Sequence, residues 1–312
     1  MSESKQEIVI TGVNGFVGEH LARHLQSEGY IVHGIGREAI PRDAIAKLLD
    51  KYSQGNLMDK ASVGGIDLSK ASSIIHLAGL ASVTDSFKFP EQYKADNSTM
   101  TNNLLLSALE QSFSGRAVIV STGAVYDSNQ PMPLNESSQK TQGSPYSIGK
   151  IAAEEIAKQY KDKGLNVVIA RPFNHIGPGQ APGFLVSDLY EQILANNSNG
   201  AAIISVGNLN SRRDFTDVRD IVKAYELLAT APSLQYDTYN ISSGNSYSGY
   251  DILNQLAGAM NVTVDAQVDP SRVRPTDAAE IIGDSSRIHE ELHWTPLITL
   301  GQTIQDFVTS KK

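Results

Sequence analysis

The chain contains no cysteine among its 312 residues, which excludes disulfide bonds, zinc–thiolate sites and catalysis by a thiol. Acidic residues outnumber basic ones, 34 to 26, and the formal net charge of −8 argues against a nucleic-acid-binding surface. No apolar run approaches the ~18 residues that a membrane span needs. Residues 1–7 are polar and show no signal-peptide pattern. We therefore expect a cytoplasmic protein that binds neither nucleic acid nor membrane.

A glycine-rich turn near the N-terminus is the first motif that carries chemistry. It joins a short apolar run to a segment with helical apolar spacing, and it is one residue wider at its start than the usual Rossmann fingerprint. In that context glycines let the backbone approach a pyrophosphate, and the helix N-terminus offers it free N–H groups. The turn predicts cofactor contacts at Gly12, Asn14, Gly15, Phe16, Val17 and Gly18.

Further apolar runs alternate with helical segments, a pattern typical of an α/β fold with a doubly wound parallel sheet. Ligands of such sheets lie at the carboxyl ends of the strands. The second run ends at Arg37 and Glu38. An arginine there accommodates the 2′-phosphate of NADP and an acid holds the 2′-hydroxyl of NAD, so NADPH is favoured and NAD stays possible. His76 is expected to be packed rather than catalytic. Other expected cofactor contacts are Asn56, Leu57, Leu77, Ala78 and Gly79.

Tyr146 and Lys150 stand four residues apart in a segment with helical spacing, so their side chains share one face. An ammonium beside a tyrosine favours the phenolate and lowers its pKa, and such a pair can exchange a proton with a substrate oxygen. This spacing also occurs on many solvated helix faces. It gains weight here because the glycine turn, Thr122 and Asn174 all fall at predicted strand ends.

Several motifs in order along the chain resemble those of the extended short-chain dehydrogenase/reductases that act on nucleotide sugars. They are Thr11-Gly12-x-x-Gly15-x-x-Gly18, His76-Leu77-Ala78-Gly79, Ser121-Thr122, Tyr146-x-x-x-Lys150 and Arg171-Pro172-x-Asn174. Within that family, residues 173–180, 206–209 and 213–220 and Arg274-Pro275 are most similar to the reductases of GDP-6-deoxy-4-keto-D-mannose. The resemblance implies a Rossmann-type domain at 1–172, to which 213–241 return. It also implies a smaller mixed α/β lobe at 173–212 and 242–312 that binds the nucleotide sugar.

The resemblance implies a role for each matching residue. Tyr146 would donate the proton, Lys150 would support it and bind the nicotinamide ribose, and Thr122 would donate a hydrogen bond to the carbonyl. Phe173 would be a further cofactor contact. The nucleotide sugar would be held by Asn174, Arg213 and Arg274, with the arginines facing phosphates or ribose. Related enzymes commonly pair two long helices per subunit, so a homodimer is expected.

Residues that the chain lacks narrow the chemistry that the resemblance implies. Dehydratases of the family carry Thr-Asp-Glu where this chain has Thr122-Gly123-Ala124, and epimerase-reductases of the GDP-fucose type need a cysteine. The main expectation is therefore NAD(P)H-dependent reduction of a C4 ketone, most closely GDP-4-keto-6-deoxy-D-mannose to GDP-D-rhamnose. A 4-epimerase or 4-keto reductase of a dTDP- or UDP-sugar remains an alternative. A non-catalytic dinucleotide sensor is a further one, although it would not need Thr122, Tyr146 and Lys150 together.

Overall fold

Alternating strands and helices make up the chain, whose computed structural model describes residues 5–272 and 278–311. In chain order the strands are β1 Glu7–Thr11, β2 Ile31–Gly36, β3 Lys51–Gln54, β4 Ser73–His76, β5 Arg116–Val120, β6 Asn166–Pro172, β7 Asn174–Ile176, β8 Ala201–Val206, β9 Arg212–Asp217, β10 Thr238–Ile241, β11 Ser246–Ser248, β12 Thr263–Val268 and β13 Glu280–Ile281. The helices are α1 Phe16–Ser27, α2 Asp43–Ala46, α3 Lys60–Gly64, α4 Val83–Lys88, α5 Pro90–Glu110, α6 Pro145–Asp162, α7 Leu185–Asn196, α8 Val218–Thr230, α9 Gly249–Met260, α10 Ser286–Leu292 and α11 Leu300–Ser310.

A parallel sheet of seven strands forms the larger layer, in the order β10-β6-β5-β4-β1-β2-β3. Its central strands β1 and β4 are buried along their whole length, as expected for strands covered by helices on both faces. The strand order reverses between β1 and β4, which is where a doubly wound sheet opens a crevice for a ligand. The predicted α/β Rossmann-type fold is confirmed.

Helices cover both faces of this sheet and bury two apolar clusters. On one face α1 and α8 pack together over residues such as Ile8, Ile10 and Tyr225. On the other face α5 and α6 form the most extensive helix pair and cover Ile74, Ile119 and their neighbours. Within the described residues, no helix is both long enough and apolar enough to cross a membrane.

The smaller lobe contains a sheet of β11, β9 and β13, with β7 also paired to β9, and a separate parallel pair of β8 and β12. Helices α7, α9 and α11 pack around its own apolar core. Strand β9, within the segment 213–241 expected to return to the main domain, belongs to this small sheet. The return begins at α8, and β10 then pairs with β6 at the edge of the large sheet.

Two buried aspartates of the 213–220 segment hold the C-terminal part of the chain in place. Asp217 caps α8 by accepting from Arg219 N, and it also accepts from Thr303 Oγ1 of α11 at 2.7 Å. Asp220 accepts from the backbone N–H groups of Leu297 and Ile298, both at 2.8 Å. Each carboxylate therefore satisfies donors from a distant segment, which is a structural role.

Candidate active site

The glycine turn between β1 and α1 leaves room for a ligand backbone by excluding side chains. Gly12 has a φ of +71°, and a Cβ on it would lie 2.8 Å from Ala78 N on the neighbouring strand end. A Cβ on Gly18 would lie 2.5 Å from Val13 O, so α1 packs directly on the turn. Gly15 is the N-cap of α1 and provides no capping side chain, while Phe16 and Val17 begin the helix. The N–H groups of this first turn therefore suit the pyrophosphate of a dinucleotide.

Arg37 and Glu38, the two candidates for contact with the adenosine ribose, lie side by side at the end of β2. Asn14 of the glycine turn donates from Nδ2 to Glu38 Oε2 at 2.7 Å, and this hydrogen bond lowers the pKa of Glu38. Tyr52 donates to the Glu38 carbonyl at 2.8 Å. Arg37 is exposed at the same strand end. Glu38 is thus tied to the turn, whereas Arg37 lies at the surface beside it.

The other strand ends predicted to contact the cofactor lie along the same edge of the sheet. Ala78 N donates to Thr11 Oγ1 at 3.2 Å, which joins the ends of β1 and β4. Leu77 is partly buried next to it. Beyond β3, Asn56 accepts from Met58 N in a turn, and the buried Leu57 follows it. The prediction that these residues contact the cofactor stays a prediction.

His76 is a packed residue, as expected. Its Nδ1 lies 2.7 Å from Thr11 Oγ1 and its Nε2 lies 3.2 Å from Thr101 Oγ1, so the ring bridges β1, β4 and α5. Burial, with a smaller contribution from the nearby Lys150 ammonium, lowers the pKa of His76 to about 3. The imidazole is therefore neutral, and its role is structural.

The fold brings Thr122, Tyr146 and Lys150 together at the end of β5. Helix α6 begins after a capping box at Ser144, so Tyr146 and Lys150 lie on its first turns. Lys150 Nζ donates to the carbonyl of Val120, the last residue of β5, at 2.9 Å. Thr122, two residues further on, lies close enough to the Tyr146 phenol to lower its pKa. This arrangement places one hydroxyl, one phenol and one ammonium at a single strand end.

The pKa of Tyr146 moves in the direction opposite to the one expected from the sequence. Burial raises it to about 12, and the hydrogen bond with Thr122 offsets only part of that effect. Burial also lowers the pKa of Lys150 to about 8. The expected lowering of the tyrosine pKa by Lys150 is therefore wrong for this structure, because desolvation dominates both groups. Tyr146 is a protonated phenol at neutral pH, the form that can donate a proton.

Asn97 on α5 is a site residue whose role the sequence analysis did not identify. Its Oδ1 accepts from Leu80 N at 2.8 Å and its Nδ2 donates to Leu80 O at 3.2 Å, which fixes the loop after β4. A Cβ on Gly79 would lie 2.8 Å from Asn97 Oδ1 and 3.5 Å from Lys150 Nζ. Gly79 thus permits the close approach of this loop to Lys150. A buried asparagine in a long helix is the sequence signal that could have pointed to it.

The predicted sugar-binding loop contacts the cofactor turn. The His175 ring stacks on Phe16 with centroids 6.4 Å apart, and His20 Nε2 lies 2.8 Å from the carbonyl of Pro178. Asn174 is exposed, and its Nδ2 donates to Asp214 O at 3.3 Å. The loop after β6 is therefore anchored to α1 and β9 beside the site.

The arginines of β9 lie in different environments. Arg213 Nη1 donates to the backbone carbonyls of Arg212 and Ala278, both at 2.8 Å. Arg212 donates to Ser246 O at 2.6 Å and forms an ion pair with Asp251 on the surface. Arg274, the other predicted substrate ligand, lies outside the described residues. The structure thus places Arg213 against the backbone at Ala278.

Phe173 is buried at the end of β6, with its ring against Gly123, the residue after Thr122. Its ring fills the space where a Cβ on Gly123 or Gly283 would lie, within 3.0 Å and 2.5 Å respectively. Its N–H donates to Ile241 O at 2.9 Å and its carbonyl is 3.1 Å from His175 Nδ1. A cofactor contact by Phe173 stays a prediction, and its packing does not support it.

Comparisons with known proteins identify the family of this chain. The protein-family model for GDP-mannose 4,6 dehydratase matches residues 9–307. The chain belongs to this family. GDP-6-deoxy-D-mannose reductase of Pseudomonas aeruginosa is 31% identical over 96% of this chain and 95% of its own length. UDP-glucose 4-epimerase of Caenorhabditis elegans is 26% identical over 92% of each chain.

A similar solved structure contains a bound cofactor. RMD from Pseudomonas aeruginosa complexed with NADPH superimposes with a TM-score of 0.84 at 28% identity, covering 98% of both chains. The resemblance to extended short-chain dehydrogenase/reductases of nucleotide-sugar metabolism is thereby confirmed, as are the predictions of an enzyme and of NADP or NAD as its cofactor. The chain's own residues fit that group, since the glycine turn and the uncapped α1 N-terminus suit a pyrophosphate.

We predict that Gly12→Ala weakens NADPH binding at least ~10-fold, because the left-handed backbone disfavours a side chain and the new Cβ meets Ala78. Fluorescence titration of NADPH measures this. Gly29→Ala is the matched control, since Gly29 has a φ of +86° but nothing within 4 Å of its Cβ position. Equal dissociation constants for the two variants would contradict the assigned turn.

Proposed function

We propose that this protein reduces the C4 ketone of a nucleotide-linked 4-keto-6-deoxyhexose with NAD(P)H. The observation that carries the proposal is the meeting of Thr122, Tyr146 and Lys150 at one strand end, with Tyr146 in its protonated form. Reduction of a ketone needs a hydride and a proton. The bound nicotinamide supplies the hydride, and the chain supplies the proton and the alignment.

Each of the three side chains has a distinct task in this reaction. The Tyr146 phenol donates its proton to the ketone oxygen as negative charge develops there. Thr122 donates a hydrogen bond to the same oxygen and stabilises that charge. The Lys150 ammonium stabilises the phenolate that Tyr146 becomes, since an opposite charge nearby favours the ionised form. Lys150 is also proposed to bind the nicotinamide ribose.

Two observations favour reduction over the other reactions found among the relatives. The family description names a dehydratase, but this chain has Gly123 and Ala124 where the resemblance places two catalytic acids. A 4-epimerase must first oxidise its substrate, which requires Tyr146 to act as a base. Burial, which raises the pKa of Tyr146, keeps the phenol in its protonated form, the form from which a reduction starts.

We propose GDP-4-keto-6-deoxy-D-mannose as the substrate and GDP-D-rhamnose as the product. Support comes from the 31% identical relative, whose name is GDP-6-deoxy-D-mannose reductase. The 173–180 loop and β9 carry the most specific resemblance; the loop pairs with β9 and stacks His175 on Phe16 beside the glycine turn. A dTDP- or UDP-linked sugar is the alternative substrate.

We also propose that the protein forms a homodimer through α5 and α6. These helices pack side by side, and Met100, Leu106 and Ile156 on them are partly exposed apolar residues. Pairing with a second copy would form a four-helix interface that covers this surface. The cytoplasmic location expected from the sequence stays a prediction.

We predict that NADPH is oxidised when the protein is given GDP-4-keto-6-deoxy-D-mannose, and that NMR identifies GDP-D-rhamnose. Tyr146→Phe should lower turnover at least ~100-fold because the general acid is lost, while NADPH still binds. Tyr160→Phe on the same helix is the control. It also removes a tyrosine hydroxyl, but that hydroxyl donates to Asn102 and has no proposed part in the reaction. Near-normal turnover by Tyr146→Phe would contradict the assignment of Tyr146 as the proton donor. A preference for dTDP- or UDP-linked substrates would refute only the choice of nucleotide.

We predict that the wild type prefers NADPH to NADH and that Arg37→Ala reduces this preference, because the exposed guanidinium is positioned to pair with the 2′-phosphate. Steady-state constants for both cofactors measure it. Glu38→Gln should shift the preference further towards NADPH by removing a carboxylate that competes for the ribose. An unchanged ratio in Arg37→Ala would mean that Arg37 does not read the phosphate.

We predict that Arg213→Ala raises the Michaelis constant for the sugar nucleotide roughly 30-fold or more, since losing one charge-assisted bond at a desolvated site costs ~2–5 kcal/mol. NADPH binding should be unaffected. Arg212→Ala is the neighbouring control, because Arg212 is engaged in the surface ion pair with Asp251. Equal Michaelis constants in the two variants would remove Arg213 from the substrate site.

A further inference from the structure

A buried carboxylate lies one helical turn beyond Lys150, and the mechanism above does not use it. Glu154 follows Lys150 by four residues on α6, and its side chain has no exposed surface. Arg171 of β6 binds it with two hydrogen bonds, from Nε to Oε1 at 2.8 Å and from Nη2 to Oε2 at 2.7 Å. This is a bidentate ion pair of the kind that fixes geometry.

Two more donors connect the same carboxylate to the catalytic strand end. Ser121 Oγ donates to Glu154 Oε1 at 2.6 Å, and Lys140 Nζ donates to Oε2 at 2.6 Å. Ser121 stands between Val120, whose carbonyl accepts from Lys150, and Thr122. Glu154 thus joins α6, the end of β5, β6 and the segment that precedes α6.

The charges around Glu154 keep it ionised in a buried place. Burial opposes ionisation, but the hydrogen bonds and charges of Arg171 and Lys140 outweigh it and lower the pKa of Glu154 to about 2. Glu154 in turn raises the pKa of Lys150 against the larger effect of burial. Other titratable or charged groups around the cluster are the Tyr126 hydroxyl and Glu136, which both contact Arg171, the exposed Glu155 3.9 Å from Lys140, and His76 near Lys150.

We propose that Glu154 is a positioning residue that holds Ser121 and the Thr122 strand end against α6 and keeps a compensating negative charge behind the Lys150 ammonium. A lysine buried in the active site needs such a charge to stay protonated at neutral pH. The inference rests on the proposed function because it assigns Lys150 its cationic role. It adds Glu154 and Lys140, which lie outside the motifs named above, to the residues on which Thr122, Tyr146 and Lys150 depend.

The pH dependence of NADPH binding separates this role from a purely structural one and needs no sugar substrate. The Lys150 ammonium is present below its pKa of about 8, so affinity should fall as pH rises through that region. Glu154→Gln removes the compensating charge and should move the midpoint down by about one pH unit. It should also lower kcat roughly 10-fold or more, because Thr122 and Tyr146 lose their alignment.

Two further variants keep the test decisive. Lys140→Met removes one of the two cations that bind Glu154 while leaving the Arg171 pair intact, so the negative charge of Glu154 is less neutralised and the midpoint should move up. Glu155→Gln removes an exposed charge from the next residue and should leave both midpoint and kcat unchanged. If Glu154→Gln fails to give a cooperative thermal transition, the proposal is tested by the upward shift in the midpoint of NADPH binding in Lys140→Met.

Unchanged midpoints in Glu154→Gln or, failing that, in Lys140→Met would overturn the inference while leaving the reductase assignment intact. Equal shifts in Glu155→Gln would overturn it as well, since they would indicate a general charge effect on the helix. A wild-type protein that neither binds NADPH nor reduces the sugar would contradict the proposed function itself.

Discussion

The Lys150 ammonium donates to the backbone carbonyl of Val120, and this contact sets the geometry of the catalytic region. It joins the first turns of α6 to the carboxyl end of β5, where Thr122 begins the next turn. A helix and a strand can hold this register because α6 lies on a sheet whose strands are buried on both faces. Side chains on such rigid elements keep a defined separation, which a proton transfer requires.

Burial supplies the chemical character of the site as well as its rigidity. The same desolvation that raises the pKa of Tyr146 lowers that of Lys150, so each group moves towards its neutral form. A protonated phenol serves a reduction directly, but a lysine must retain its charge to stabilise the phenolate that follows. Glu154 is the buried group able to support that charge, and Arg171 and Lys140 in turn keep it ionised.

The family shares one scaffold among dehydratases, epimerases and reductases, so the fold does not select the reaction. Selection rests on a few positions at strand ends. Gly123 and Ala124 after Thr122 offer no acid for elimination of water. Within the 213–220 segment, which carries part of the resemblance, Asp217 caps α8 and Asp220 holds the residues at 297–298. A recurring motif can therefore reflect the joining of two lobes as much as contact with a ligand.

The sequence by itself determined the parallel α/β sheet, the glycine turn and the presence of Tyr146 and Lys150 on one helix, because each depends on local periodicity and spacing along one element. The packed role of His76 followed from its place inside a buried strand. Only the tertiary structure decided the upward direction of the Tyr146 pKa shift, the assignment of β9 to the small sheet, the loop-fixing role of Asn97 and the burial of the Phe173 ring. Those properties depend on residues that are far apart in the chain. Such residues decide which groups are buried and which hydrogen bonds each group forms.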